Sequence, residues 1–68
     1  MPTDAEILAL LPRAPAYGQS TWSLAMDLRR DYPTLSTRAL RARMVALCRA
    51  GLAQVQERRS NRVVWVRV

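Results

Sequence analysis

The arginines are the residues of this chain with the clearest chemistry. All eleven basic side chains are arginine, histidine is absent, and the formal net charge is +6. Residues 1–35 contain three arginines and four acids, whereas residues 36–68 contain eight arginines and one acid. A guanidinium pairs its donors with phosphate oxygens and guanine edges, so this crowding favours a nucleic-acid partner. A GC-rich genome would explain arginine over lysine, but not the crowding in one half.

The first arginine cluster lies in residues 37–50, TRALRARMVALCRA. On a helical wheel Arg38, Ala42, Val45 and Arg49 form the outer face, and Arg41 lies on its shoulder. No acid interrupts this face, although an exposed helix usually gains stability from pairs of opposite charge one turn apart. The pattern therefore predicts an anionic partner. The alternative is a surface helix whose arginines serve only solubility.

The second cluster brackets a turn near the end of the chain. Arg58, Arg59 and Arg62 flank Ser60 and Asn61, and asparagine tolerates the left-handed backbone of tight hairpin turns. A basic hairpin tip can contact phosphates or enter a minor groove. The alternative is a charged tip that keeps an edge strand from aggregating.

Other chemistry is poorly supported. A chain with no histidine or lysine lacks the bases of nucleophilic triads, and one cysteine permits no internal disulfide. Asp27 and Asp31 lie beside Arg29 and Arg30, so we expect local salt bridges there rather than an acid–base pair. Five scattered carboxylates and Cys48, expected on the flank of the core, do not make a zinc site. The sequence predicts a non-enzyme without metal or cofactor.

Helical signals occupy the first half of the chain. Thr3 and Glu6 have capping-box spacing and predict a helix over residues 4–11, ended by Pro12. Residues 12–19 are predicted to form a loop, with the side chain of Tyr17 packed inward. Ser20 or Thr21 caps a second helix, which ends at Tyr32-Pro33. Its expected core residues, spaced for a helix, are Trp22, Leu24, Ala25 and Leu28.

The third helix is the clearest element. Ser36 is its expected N-cap, residues 37–50 contain no proline or glycine, and Gly51 is the expected left-handed residue after its end. Leu40, Met44 and Leu47 predict its buried stripe.

Strand patterns follow Gly51. Residues 52–57 alternate loosely, and residues 63–68, VVWVRV, have a β-branched and aromatic composition, with Trp65 expected in the core. The predicted fold class is α+β: a three-helix bundle followed by a two-stranded antiparallel hairpin, in one domain over residues 1–68. No apolar run is long enough to span a membrane, and residues 1–11 do not resemble a signal peptide, so we expect a cytoplasmic protein.

Residues 36–52 resemble the third helix and following turn of bacterial winged-helix repressors. Those families end this helix with Leu-x-x-x-Gly-Leu, here Leu47, Gly51 and Leu52, and continue into a basic hairpin, the wing. The resemblance implies a winged-helix DNA-binding domain. It implies a minimal repressor, or a phage or mobile-element accessory factor, because no sensing segment or dimerisation helix is present.

The leading hypothesis is therefore a small transcription regulator that binds double-stranded DNA, with a homodimer as an option. An interaction adaptor that pairs the strand 63–68 with a partner is the alternative, and RNA binding is a third. Arg29 and Arg30 are expected to add backbone contacts. The expected DNA-binding residues are Thr37, Arg38, Arg41, Ala42, Val45, Arg49, Arg58, Arg59, Asn61 and Arg62.

Overall fold

A computed structural model of the chain describes all 68 residues. The elements follow one another as α1 (Asp4–Ala9), β1 (Gln19–Ser20), α2 (Thr21–Leu28), α3 (Thr37–Arg49), β2 (Ala53–Arg59) and β3 (Arg62–Arg67). The α+β class is confirmed. The predicted bundle with a two-stranded hairpin is too simple, because the three helices accompany a three-stranded antiparallel sheet.

The start of α1 has the predicted capping box. The Glu6 amide donates to Thr3 Oγ1 at 3.2 Å, and the Thr3 amide donates to Glu6 Oε1 at 3.0 Å. The helix ends at Ala9, two residues before the predicted end at residue 11. Pro12 disfavours helical backbone at the residue before it, which shortens the helix from its C-terminal side.

Helices α2 and α3 begin at serine caps. Ser20 accepts from the Ser23 amide at 3.1 Å, and Ser36 accepts from the Ala39 amide at 3.0 Å. Helix α3 ends at Arg49, one residue before its predicted end, and Gly51 follows with φ +77°. The Gly51 and Leu52 amides donate to the Cys48 and Leu47 carbonyls, which is the Schellman pattern that a glycine permits.

Strand β1 is absent from the sequence prediction and changes the sheet. It pairs Gln19 with Trp65 and Ser20 with Val64, so β3 is the central strand in the order β1-β3-β2. A Gln-Ser pair has no β-branched or aromatic residue, so composition gives no strand signal. Gly18 precedes it for a steric reason, since a Cβ there would overlap the Trp65 carbonyl.

Strands β2 and β3 form the predicted hairpin, with two deviations. The register shifts between Val55 and Glu57, which makes Gln56 the extra residue of a β-bulge. Its side chain accepts from the Gly18 amide at 2.7 Å and donates to the Ala16 carbonyl at 2.8 Å, which holds the loop before β1. At the turn, the left-handed residue is Ser60, with φ 46°, rather than the expected Asn61.

The core contains the predicted stripe of α3. Trp65 is also buried as predicted, at 3% exposure, whereas the predictions for Trp22 and Tyr17 are wrong, because they are 67% and 58% exposed. Tyr17 instead donates to Glu57 Oε2 at 2.9 Å across the surface. The main buried cluster includes Ile7, Leu11, Leu24, Leu28, Leu40, Met44, Leu47 and Trp65.

Two further properties bear on function. None of the three helices has the length and apolar character that crossing a membrane requires. No group of three or more His, Cys, Asp or Glu side chains is placed to hold a metal ion.

Candidate nucleic-acid interface

An open cavity of about 640 Å³ lies between the start of α2, the first half of α3 and the hairpin tip. Its lining contains three arginines and no acidic residue, and we call it the basic cavity. The lining residues are Ser20, Thr21, Trp22, Ser23, Thr37, Arg41, Arg59, Ser60, Asn61, Arg62 and Val63.

Helix α3 contributes Thr37 and Arg41, which are four residues apart and therefore share one face. Arg41 is exposed, and its guanidinium forms no ion pair within the chain. Thr37 is half-buried, and its hydroxyl accepts from Arg29 Nη2 at 3.0 Å. Arg41 is thus the side chain of α3 that is free to contact a ligand in the basic cavity.

Arg29 joins the end of α2 to the start of α3. Besides Thr37, its Nε donates to the Leu35 carbonyl at 2.8 Å. The predicted local salt bridges are wrong, because the ion pairs of the structure are Arg43–Asp4 and Arg59–Glu57. Two of the Arg29 donors are therefore used to position α3, which weakens its expected role in contacting a DNA backbone.

The first turn of α2 is fixed by contacts with the sheet. The Trp65 indole Nε1 donates to Thr21 Oγ1 at 2.8 Å in the interior. Ser20 belongs both to the pairing of β1 with β3 and to the cap of α2. The first turn of α2 is therefore held in a fixed position relative to the hairpin.

The hairpin tip contributes Arg59, Asn61 and Arg62. Arg59 and Arg62 are cross-strand partners, so their side chains share one face of the hairpin. Arg59 Nε lies 3.6 Å from Glu57 Oε1, but the Arg59 side chain is 80% exposed, and an ion pair of this kind contributes little. The guanidinium of Arg59 can therefore leave Glu57 for a stronger anion.

The other face of the hairpin borders a second groove of about 290 Å³. Arg58 lines this groove rather than the basic cavity, because successive residues of a strand point to opposite faces. Burial raises the pKa of the Cys48 thiol, consistent with a packing role at the flank of the core. The second groove is lined by Val45, Cys48, Arg49, Val55, Arg58 and Trp65.

The structure thus divides the ten expected residues. Five of them line the basic cavity and three line the second groove, while Arg38 and Ala42 are exposed on α3 and line neither. Arg43, on the other shoulder of α3, donates to Asp4 Oδ1 at 2.7 Å and joins α3 to α1.

Trp22 is the cavity residue that sequence reasoning missed. Leu24, Ala25 and Leu28 are buried, but Trp22 is two positions before Leu24, about 200° away around the helix. Helical spacing alone therefore predicts that Trp22 is exposed. The opposite and wrong prediction came from the expectation that a small domain buries every large apolar residue.

A third concave region borders the opposite end of α2. It has a volume of about 500 Å³ and contains Glu6, Asp27 and Asp31 with a single cation, Arg30. We call it the acidic groove; its other lining residues are Ala9, Leu10, Leu28 and Tyr32.

No protein-family model, curated protein or solved structure matches the chain significantly.

Proposed function

We propose that the chain is a winged-helix DNA-binding protein that acts as a small transcription regulator. One observation carries the proposal: arginines from α3 and from the hairpin tip line one cavity that has no acidic side chain. Bringing like charges together is unfavourable without an anion, and the phosphate backbone of DNA supplies anions at regular spacing.

The order of the elements also supports DNA binding. Helix α3 precedes a hairpin, and it exposes Arg38, Arg41 and Ala42 on its surface. A helix with short side chains between arginines fits the major groove of B-DNA, which is about 12 Å wide. In the proposed complex α3 reads bases through the major groove, most simply guanines through Arg38 and Arg41.

The hairpin, as the wing, would contact the backbone or the minor groove. Arg59, Asn61 and Arg62 line the basic cavity, while Arg58 lies with Arg49 at the second groove. Cations on both faces of a hairpin can contact phosphates on either side of it.

The deciding experiment is a fluorescence anisotropy titration with a random 20-base-pair duplex at low and moderate salt, followed by selection from a random pool. We expect micromolar affinity that falls steeply with salt, and an enriched motif. Arg41→Ala should flatten discrimination between selected and random DNA, because it removes a base contact. Arg59→Ala should weaken all sequences alike and lower the salt slope by about one unit.

The outcomes separate several explanations. No duplex binding at low salt would refute the proposal, and identical behaviour of the two variants would refute the assigned roles. Salt-dependent binding without an enriched motif would point to an architectural DNA protein rather than a regulator. Tighter binding to an RNA duplex of the same sequence would replace DNA by RNA as the partner.

The adaptor function has weaker support. Its predicted surface, the strand 63–68, is the central strand of the sheet, and Val64, Trp65 and Val66 are buried. Both β1 and β2 are edge strands, and the longer of the two, β2, could accept a partner strand or a second copy. Association that persists at high salt and is lost when proline replaces Val55, whose amide points away from β3 in the alternating ladder, would favour this second function.

A further inference from the structure

We propose that the basic cavity holds one unstacked nucleotide, with its base on the Trp22 indole and its phosphate on Arg59 and Arg62. The site deepens the proposed function and partly rests on it, since it would act during DNA binding. It predicts a preference for DNA that offers an unpaired nucleotide, beyond the reading of an intact duplex by α3.

The side chain of Trp22 is exposed to solvent. A domain of this size has a thin core, and burial of an aromatic side chain contributes about 2 kcal/mol or more. Trp22 nevertheless leaves 67% of its surface in water, while Trp65 is buried. An exposed tryptophan beside cations fits a ligand that has both an aromatic face and negative charge.

The backbone that carries Trp22 is fixed by its neighbours. The neighbouring Thr21 is 5% exposed and accepts the hydrogen bond of the Trp65 indole. Ser20 caps the same turn, and its partner strand is β3. Trp22 therefore projects from a rigid turn, which reduces the entropy lost when a base stacks on it.

The polar groups of the cavity differ in whether they have partners within the chain. Ser20 Oγ is used by the cap, and the Ser23 hydroxyl donates to Gln19 Oε1 at 2.8 Å. Arg41, Asn61 and Arg62, in contrast, form no side-chain hydrogen bond or ion pair within the chain. The groups left available are mainly cationic donors, which suit a phosphate.

The size and chemistry of the cavity suit a nucleotide. About 640 Å³ lies within the range of small-molecule sites. Stacking of a base on an aromatic side chain contributes about 1–3 kcal/mol by alanine substitution and tolerates any base. The site should therefore add affinity without sequence preference.

The test uses the intact chain and three probes: a blunt 20-base-pair duplex, the same duplex with one unpaired 3′ thymidine, and thymidine 5′-monophosphate. We expect the overhang duplex to bind about tenfold more tightly than the blunt one. Trp22→Ala should abolish this difference, so that the variant binds the blunt and overhang duplexes with equal affinity. Trp22→Phe, which keeps an aromatic face, should retain most of the difference.

Fluorescence supplies a second readout. Stacking of a base should quench the fluorescence of Trp22. In the Trp22→Phe variant only the buried Trp65 emits, and its fluorescence should stay constant. If the overhang duplex quenches Trp22 and the mononucleotide does not, the cavity binds an unpaired nucleotide only as part of DNA. If both quench it, the cavity also binds free nucleotides.

Two results would overturn the proposal: equal affinity of the wild type for blunt and overhang duplexes without quenching, or equal weakening of both by Trp22→Ala. Equal weakening would mean that Trp22 contacts the backbone of a fully paired duplex. If the blunt duplex does not bind at all, the proposed function fails, and the mononucleotide titration still tests the cavity separately.

Discussion

The two ends of α2, separated by about 12 Å of helix, border regions of opposite charge. The first turn opens on the basic cavity, with three arginines and no acid, and the last turn borders the acidic groove, with three carboxylates and Arg30. Because the chain as a whole has a net charge of +6, the excess of carboxylates in the acidic groove is a local feature of its surface. Position, rather than total charge, distinguishes the candidate binding region.

The two regions also differ in how their charged groups are used. In the acidic groove, Glu6 accepts from Thr3 and from the Tyr32 hydroxyl, and Asp27 accepts from Gln19. In the basic cavity, Arg41 and Arg62 have no partner within the chain. Hydrogen-bonded carboxylates stabilise the fold, whereas unpaired guanidiniums remain available to a ligand. We therefore predict that the acidic groove contributes to stability and the basic cavity to binding.

The largest effect should come from reversing charge in the basic cavity. Arg59→Glu combined with Arg62→Glu should lower duplex affinity about a hundredfold at 0.1 M salt, because each lost phosphate contact costs roughly tenfold there. The matched control, Arg13→Glu with Ala16→Glu and Thr34→Glu, makes the same change in net charge at exposed sites outside this cavity. It should lower the affinity less than fivefold in the same anisotropy titration.

Equal losses in the two variants would contradict the comparison. They would mean that total charge, rather than the placement of arginines at the start of α2, determines binding.

A smaller effect should follow from loosening the start of α2. Thr21→Val keeps the volume of the side chain but leaves the buried indole Nε1 of Trp65 without its acceptor. We expect the free energy of unfolding to fall by about 1–3 kcal/mol in urea denaturation. Thr34→Val, at an exposed threonine, is the control and should change it by less than about 0.5 kcal/mol. A Thr21→Val chain as stable as the control would show that this hydrogen bond does not hold α2.

The smallest effect concerns pH at the acidic groove. The backbone hydrogen bond from Thr3, and then the Tyr32 hydroxyl, hold the pKa of Glu6 below its ordinary value of 4.5. A depressed pKa contributes stability that is present above that ordinary value and is lost as the pH falls through the folded-state value. The urea concentration at the midpoint of unfolding should therefore decrease as the pH falls below about 5, and it should decrease more steeply for the wild type than for Glu6→Gln. Parallel curves would contradict the role of Glu6.

Much of the fold could be predicted because its signals are local. The caps at Thr3, Ser20 and Ser36 and the left-handed Gly51 depend on short-range chemistry, and the structure has all four. The buried stripe of α3 follows from helical period alone. The ends of the helices were harder to predict, above all that of α2, which ends at Leu28 rather than at Tyr32-Pro33, because terminal turns depend on flanking residues.

The rest depends on contacts between distant residues. Strand β1 exists because β3 offers a partner to Gln19 and Ser20, which have little strand propensity of their own. Which arginines face the basic cavity depends on alternation along the hairpin, which separates Arg58 from Arg59. The sequence predicted a basic tip, but it did not predict that the start of α2 would complete the site.

The central position of β3 also has a kinetic consequence. Capped helices such as α3 can form early from local contacts, whereas β1 can pair only after β3, which lies far later in the chain, has been brought beside it. Pairing between segments so distant in sequence is slow compared with forming a helix, because the entropy of loop closure is lost before the pairing contacts form. We therefore expect α3 to form before the strands that complete the basic cavity have paired.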